Sequence, residues 1–481
     1  MNPQILSAGA AMITPFTGQA LLCFLRSLML RGNMKELFLC LTCCGRHSGT
    51  GIEGRPCLQR IMEYVKQVLA LSPALFYSID INKRIKEEKY MMDQFTVWIP
   101  TRWMFGPGQL AHLHEAVLPG KKALVVISNG KSTRANGYLD RTLAELTQAG
   151  ASAVVFDEVE PNPLKETAMR GGAKAKEEGC DFILALGGGS VMDCAKAIAI
   201  MAANPGDLWD YVTAGTGKGL PMPHRPLPIV AITTTAGTGS EVDCGGVISN
   251  LETKEKMGIG FPTLFPVLSI VDPDLMMTVP PRFTAYQGFD ALFHSVECYI
   301  SKRANLMSDM VASTAIKNIG KYLARAVADG SDKEARTHVA FANTLSGYSM
   351  MTGSCTSEHS LEHAMSAYHH ALPHGAGLIM ISLAYFGHFI DAHACDDRFV
   401  DMARFLGMER AEKPEDFLTA LHDLQKACGA ADLKMSDYGL HPEEFPELAK
   451  NARATLGRLF DSDPVPLSDE DCVAIYEKAY R

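Results

Sequence analysis

The feature that most constrains the fold is the run Phe182-Ile-Leu-Ala-Leu186, followed without a spacer by Gly187-Gly-Gly-Ser190 and then by an alanine-rich stretch over 192–203. An apolar run with no polar alternation has no face to show to water, so a strand made from it must be covered on both sides. A glycine turn leading directly into a helix folds the chain back over the sheet. The same unit recurs: strand signals over 122–127, 153–156 and 228–235, with amphipathic helical signals over 139–148 and 164–178. Alternation of this kind gives an α/β fold with a mainly parallel sheet, and ligands gather at the C-terminal ends of its strands. Beyond Pro280-Pro281 the β signal fades, and helices are expected over 285–301, 307–326, 333–351, 377–386, 399–406, 414–428 and 469–479. Two domains follow from this pattern, an α/β half over 91–280 and an all-helical half over 281–481.

Each half carries its own chemistry. The turn after the 182–186 strand brings backbone N–H groups and a helix N-terminus to one point, where a pyrophosphate is stabilised. A second strand ends in a hydroxyl-rich turn, Thr233-Thr-Thr-Ala-Gly-Thr-Gly-Ser-Glu241. Two strand-to-glycine-turn units upstream of a metal cluster point to a nucleotide in the same cleft. The cluster lies in Asp290-Ala-Leu-Phe-His294-Ser-Val-Glu297, Glu358-His359-Ser-Leu-Glu362-His363 and Leu372-Pro-His374-Gly375. Asp290 and His294 stand at i and i+4, as do His359 and His363, so each pair projects from one helix face. A carboxylate with several imidazoles suits Fe(II) or Zn(II) rather than magnesium or calcium. Glu297 and Glu362 read as groups that orient imidazoles or cap local structure. Met350, Met351, Met365 and Tyr368 are either substrate-pocket lining or plain core.

With these motifs in order, the chain resembles the iron-containing (group III) alcohol dehydrogenases from about Met91 onward. The resemblance rests on Phe105-Gly-Pro-Gly108, Pro161-Asn-Pro163, Ala185-Leu-Gly-Gly-Gly-Ser-Val-Met-Asp193-Cys-Ala-Lys196, the Thr233 to Glu241 turn, Asp272-Pro-Asp274 and Gly288-Phe-Asp-Ala-Leu-Phe-His294. It implies a Rossmann-like nucleotide domain joined to a helical metal-binding domain, the plan shared with dehydroquinate synthase. It further implies that Asp290, His294, His359 and His374 hold the ion and that His363 relays a proton beside the reacting oxygen; the alternative for His363 is an orienter of His359. Gly188, Gly189 and Ser190 would hold the diphosphate, with Asn162, Asp193, Thr234, Thr235, Thr238, Ser240 and Lys256 around the nucleotide cleft. The stretch from His359 to His374 looks one residue longer than in many relatives, and His369-His370 inside it read as pocket or surface histidines. The expected reaction is hydride transfer between NAD(P)(H) and a small primary alcohol or aldehyde. Cofactor choice is read from Ser128-Asn-Gly130, which offers no acidic residue where NAD-specific relatives carry one. Lys131 and Arg134 follow, so the expectation leans to NADP(H). A homo-oligomer, a dimer in the family, is implied as well. A dehydroquinate-synthase-like lyase and a metal-binding protein without turnover are the alternatives; the first would cluster Lys and Arg near the ligands, the second would lack a ligand or a glycine turn.

Composition bears on what the chain meets. With 481 residues, 47% hydrophobic and a net charge of −9, it has material for two cores and no basic field for nucleic acid. No apolar run from Met91 onward spans a bilayer, and the cysteines there show no paired spacing, so they read as reduced thiols of a cytoplasmic protein. Residues 1–90 match nothing in the family pattern. Lys86-Glu-Glu-Lys89 could be encoded by a purine-rich run of the kind that precedes a bacterial start codon, so the expected start is Met91, with a targeting or partner-binding extension as the other reading. A chain begun at Met91 is expected to fold, bind metal and react like the 481-residue chain. If it is insoluble while the longer chain is soluble, residues 1–90 belong to the fold.

Overall fold

The computed structural model describes residues 94–481, so the reading of residues 1–90 concerns a segment outside the described residues. In chain order come β1 (Arg102–Phe105), β2 (Lys122–Ser128), the single turn α1 (Ser132–Ala135), α2 (Tyr138–Gln148), β3 (Ser152–Val159), α3 (Lys165–Glu177), β4 (Phe182–Gly187), α4 (Gly189–Ala203) and β5 (Ile229–Thr233). An antiparallel pair, β6 (Gly245–Asn250) and β7 (Glu255–Gly260), precedes β8 (Leu268–Val271). Six strands form one parallel sheet in the order β1-β8-β5-β4-β2-β3. The chain runs outward from β2 to β3 and returns to β4 on the other side. The ends of β2 and β4 therefore flank the point where strand order reverses, the position at which open α/β sheets bind ligands.

Period-2 geometry accounts for the apolar runs. Leu124 and Val126 of β2 pack with Ile183, Ala185 and helices α3 and α4 on one face, while Ala123, Val125 and Ile127 pack with Leu184, Leu186 and Leu139 of α2 on the other. From Pro281 onward the structure is helical: α5 (Pro281–Ile300), α6 (Leu306–Ala328), α7 (Lys333–Thr352), α8 (Ser357–Tyr368), α9 (His374–Asp391), α10 (Asp396–Phe405), α11 (Glu415–Ala427), α12 (Phe445–Leu456) and α13 (Asp469–Ala479). These helices share a separate core built on Phe289, Phe293, Phe386 and Phe417.

A strand over 95–102 is expected from its aromatic and β-branched residues, yet only Arg102–Phe105 pairs, with Leu268–Val271 of β8. Pro100 has no N–H to offer, and Pro266 just before β8 likewise. Phe95 and Trp98 are accordingly exposed.

Long-range hydrogen bonds explain several of the family motifs. The Asp272 carboxylate accepts from the N–H groups of Gly108 (2.9 Å) and Leu110 (3.0 Å), pinning the Phe105-Gly-Pro-Gly108 turn to the end of β8. Gly239 donates to Asn343 Oδ1 on α7 (2.8 Å), and Glu241 Oε1 accepts from Asn343 and Thr344 (both 2.8 Å). The turn after β5 is thereby docked on the helical half. Gly239 adopts φ +63°, and a Cβ there would lie 2.5 Å from the Gly347 nitrogen, so backbone meets backbone and no side chain fits. No helix among the described residues is long and apolar enough to cross a membrane.

Candidate active site

Helix α5 is buried along nearly its whole length, which places Asp290 and His294 inside the protein. Three imidazole nitrogens surround one oxygen of Asp290: His294 Nδ1 at 3.6 Å, His359 Nε2 at 3.5 Å and His374 Nε2 at 3.5 Å from Oδ1. They come from α5, α8 and the first residue of α9. Asp290 Oδ1, His294 Nδ1 and His359 Nε2 are buried with no hydrogen-bond partner among the described residues. Buried polar atoms ordinarily find partners, and a group of them facing one point is what a cation site leaves when the ion is taken out of account. The donor set, one carboxylate and three imidazoles, fits Fe(II) or Zn(II).

Two carboxylates orient the rings from behind. Glu297 on α5 bonds His359 Nδ1, and Glu362 on α8 bonds His374 Nδ1, which leaves each Nε2 aimed at Asp290. These are the two glutamates read from sequence as orienters. Burial works against the charged form of Asp290, but His294, His374 and His359 outweigh it and hold the carboxyl well below its ordinary value. Burial likewise opposes a charge on His359, and Glu297 and Asp290 overcome it, raising that imidazole well above 6.5. His294, governed by burial, falls to about 3. Cys355 Sγ also comes within 4.8 Å of His294 and His359 ligand atoms. Its hydrogen bond with Cys298 and its burial push the thiol well above its usual value.

His363 follows His359 by one turn. Its Nδ1 is buried without a partner among the described residues, and its ring centroid is 6.4 Å from that of His359, with Glu297 rather than His363 bonded to the His359 ring. His369 bonds half-buried Glu444, and the His370 carbonyl accepts from Asn162 Nδ2 (3.1 Å).

Asn162, Gly189, Ser190, Asp193 and Thr238 line a cleft of about 490 Å³, and so do Ser240, Lys256 and the four histidines 294, 359, 363 and 374. Residues expected at a nucleotide and residues expected at a metal thus share one cavity. Gly188 and Gly189 open α4 against the neighbouring turn: a Cβ on Gly188 would lie 2.7 Å from Thr235 Oγ1, and one on Gly189 would strike Thr238. Gly188, Thr234 and Thr235 are half-buried and lie outside the lining of this cleft. Asp193 and Ser240 border the cleft while belonging to a hydrogen-bonded cluster. Asp193 accepts from Ser240 Oγ (2.8 Å) and Val247 N (2.9 Å), and Lys196 Nζ donates to Ser240 Oγ (2.7 Å), Asp243 Oδ1 (2.6 Å) and the Gly245 carbonyl (2.5 Å). Burial, partly offset by Lys196, lifts Asp193 to about 6. Lys256 on β7 reaches Ser366 (2.8 Å) and Glu362 (3.5 Å), a contact made possible by a hairpin absent from the strands read in the sequence. Met350 and Met351 line the cleft, whereas Met365 is core and Tyr368 bonds Glu447.

Ser128 lies elsewhere, in a second cleft of about 350 Å³ with Asn129, Gly130, Lys131, Arg134 and Asp157. Arg134 donates to Asp157 at 2.6 Å, so one of the two cations read as partners for a 2′-phosphate already has a carboxylate. The eight cysteines among the described residues are all free.

Comparisons with known proteins identify the family in which this combination of sheet, glycine turns and converging imidazoles occurs. Residues 100–273 match the family described as iron-containing alcohol dehydrogenase, and residues 284–480 match its C-terminal part. The chain belongs to the iron-containing alcohol dehydrogenase family. It is 36% identical over 395 residues to a 1,3-propanediol dehydrogenase of Klebsiella pneumoniae, covering 80% of this chain and 99% of that protein. To a probable NADH-dependent butanol dehydrogenase of Bacillus subtilis it is 33% identical over 396 residues, with the same coverage of 80% and 99%. The crystal structure of an archaeal halo-thermophilic Red Sea brine pool alcohol dehydrogenase superposes with a TM-score of 0.76 at 32% identity, covering 81% of this chain and 99% of that one.

The cluster around Lys196 yields a stability prediction. Lys196→Met leaves Asp193 and Asp243 buried without their cation and is expected to cost about 3–5 kcal/mol in chemical denaturation. A loss below about 1 kcal/mol would mean that these carboxylates have another counter-charge.

Proposed function

We propose that the chain is a metal-dependent alcohol dehydrogenase and aldehyde reductase, built from a nucleotide-binding part over residues 91–280 and a metal-binding part over 281–481. In the reductive direction an aldehyde, a reduced nicotinamide and one proton give a primary alcohol and the oxidised nicotinamide. Asp290, His294, His359 and His374 are the residues that would hold Fe(II) or Zn(II). The observation that carries this reading is the convergence of three imidazole nitrogens within 3.6 Å of a single buried carboxylate oxygen. A bound divalent ion would supply Lewis acidity at the substrate oxygen. The chain's own residues do the rest. Glu297 and Glu362 fix the rings, and His363, whose side chain lines the cleft, would move the proton. The start of α4 at Gly188, Gly189 and Ser190 would take the diphosphate, with Thr235 and Thr238 packed behind it and Asn162, Thr234 and Lys256 around the rest of the nucleotide. Asp193 and Ser240 would act by holding the turns in place. The reading includes a small alcohol or aldehyde as substrate and a cytoplasmic homo-oligomer, as the family resemblance implies.

On cofactor choice, the preference for NADP(H) expected from the Ser128 turn finds no support. Asp157 lines the Ser128 cleft and pairs with Arg134, so a 2′-phosphate there would meet a carboxylate. One relative is itself described as NADH-dependent. We therefore propose NAD(H), with Ser128 and Asp157 as the discriminating pair.

His294→Ala is expected to abolish turnover and metal retention together, read by NADH oxidation with a short aldehyde and by metal analysis of the purified protein. Near-normal activity with stoichiometric metal would place the site elsewhere. For the cofactor, Asp157→Ser should free Arg134 and improve kcat/KM for NADPH at least tenfold relative to NADH, equivalent to about 1.4 kcal/mol. A wild-type enzyme that already favours NADPH by that margin would restore the original expectation.

A further inference from the structure

Among the described residues, the charged groups on the wall of the active-site cleft have an ion-pair or hydrogen-bond partner except two; Asp193 accepts from Ser240 and Val247. Asp243 is paired with Lys196 at 2.6 Å, Lys256 with Glu362 at 3.5 Å, and Asp290 sits among imidazoles. Arg303 and Arg458 line the same cavity, and neither guanidinium has a carboxylate or other hydrogen-bond acceptor within bonding distance among the described residues. They are 155 residues apart in sequence, yet their loops are joined. Arg303 follows α5 by three residues, and Arg458 lies in the short helix Gly457–Ser462 after α12. The Lys302 N–H donates to the Ser462 carbonyl (2.9 Å), and Ser462 Oγ donates to Ser354 Oγ (3.1 Å) on a third loop that also borders the cleft. Asp463, the next residue, accepts from Ser357 N (2.8 Å) at the start of α8, the helix that carries His359 and His363. The loops bearing the two arginines are thus tied to each other and to the helix of the metal ligands.

We propose that Arg303 and Arg458 form an anion subsite in the substrate pocket, so that the preferred substrate is an aldehyde or alcohol carrying a carboxylate or sulfonate at the end away from the reacting carbon. This inference rests on the dehydrogenase reading above. The guanidinium group donates two parallel N–H bonds to a planar or tetrahedral oxyanion, which a neutral alcohol tail cannot accept. The diphosphate of the nucleotide has its own provision at the start of α4, and the cofactor's adenosine end is assigned to the separate cleft at Ser128. A chain of net charge −9 repels anionic substrates at a distance, and two uncompensated cations at the cleft reverse that field locally. Both side chains are largely exposed, so the subsite lies at the mouth of the cleft and its effect is screened by salt.

The test uses the full chain loaded with Fe(II) or Zn(II) and saturated with NADH. Initial rates are compared for butanal and for two anionic aldehydes of similar length, 4-oxobutanoate and 3-oxopropanesulfonate. A kcat/KM at least tenfold higher for either anion than for butanal, declining with added salt, is expected, and the larger preference names the acid group. In the Arg303→Gln, Arg458→Gln double variant the ratio of anionic to neutral kcat/KM should fall at least tenfold. Turnover of butanal without any preference for the anions overturns the subsite and leaves the dehydrogenase reading intact. Failure to turn over any aldehyde overturns that reading, and the subsite with it. An equal loss for charged and neutral substrates in the double variant, or a rise confined to the KM for NADH, assigns the arginines to the fold or to the nucleotide and overturns the proposal.

Discussion

Asp290 Oδ1 is the atom on which the helical half depends. A carboxylate as buried as that of Asp290 would be expensive without compensation, and here three imidazoles from three different helices provide it. The relation also runs the other way, because helices that must each deliver a ring to one atom have little freedom to slide. Glu297 ties α5 to His359 on α8, and Glu362 ties α8 to His374 on α9. The chain of carboxylate and imidazole therefore cross-links α5, α8 and α9 in series. Lys256 extends it to β7, so the hairpin is connected to the same network.

The turn after β5 sets the distance between the two halves of the chemistry. Its Gly237 touches the metal cluster, since a Cβ there would lie 3.0 Å from Asp290 Oδ2, and its Thr238 packs on Gly189 at the start of α4. Its Gly239 is held by Asn343 on α7. Three successive residues thus contact the histidine cluster, the glycine turn at the start of α4 and the helical core. Hydride transfer requires donor and acceptor carbons in near contact, and errors of an ångström are costly. A short loop with a left-handed glycine, fastened at both ends, holds that spacing better than a long linker would.

Much of this was legible in the chain because it depends on local periodicity. Strands β2, β4 and β5 are continuous apolar runs, and the pairs Asp290 with His294 and His359 with His363 stand at the spacing of one helix face. What was not legible depends on pairing across the chain. The β6 and β7 segments, Gly245-Gly-Val-Ile-Ser-Asn250 and Glu255-Lys-Met-Gly-Ile-Gly260, are rich in glycine and broken by charge; they become strands by pairing with each other and packing beside α4. Helix α12 begins at Phe445-Pro446, a start that reads as an interruption until the helix is seen to end in the cleft. Asp272 and Gly239 sit in recognisable motifs, but their partners lie more than a hundred residues away.

Charge shows the same limit most plainly. A sequence gives the sign of each residue and not its partner, so Arg134, Lys196, Lys256, Arg303 and Arg458 look alike until the fold sorts them. Arg134, expected to be free for a phosphate, meets Asp157. Lys196 is buried among carbonyls and carboxylates that give it a structural task. Lys256 reaches the network behind His374. Only Arg303 and Arg458 are left facing the cleft with their hydrogen-bonding capacity unused among the described residues, and that follows from where three loops meet rather than from any pattern near them. A cation that has no task in holding the fold together, placed where the substrate must enter, is subject chiefly to what the substrate carries.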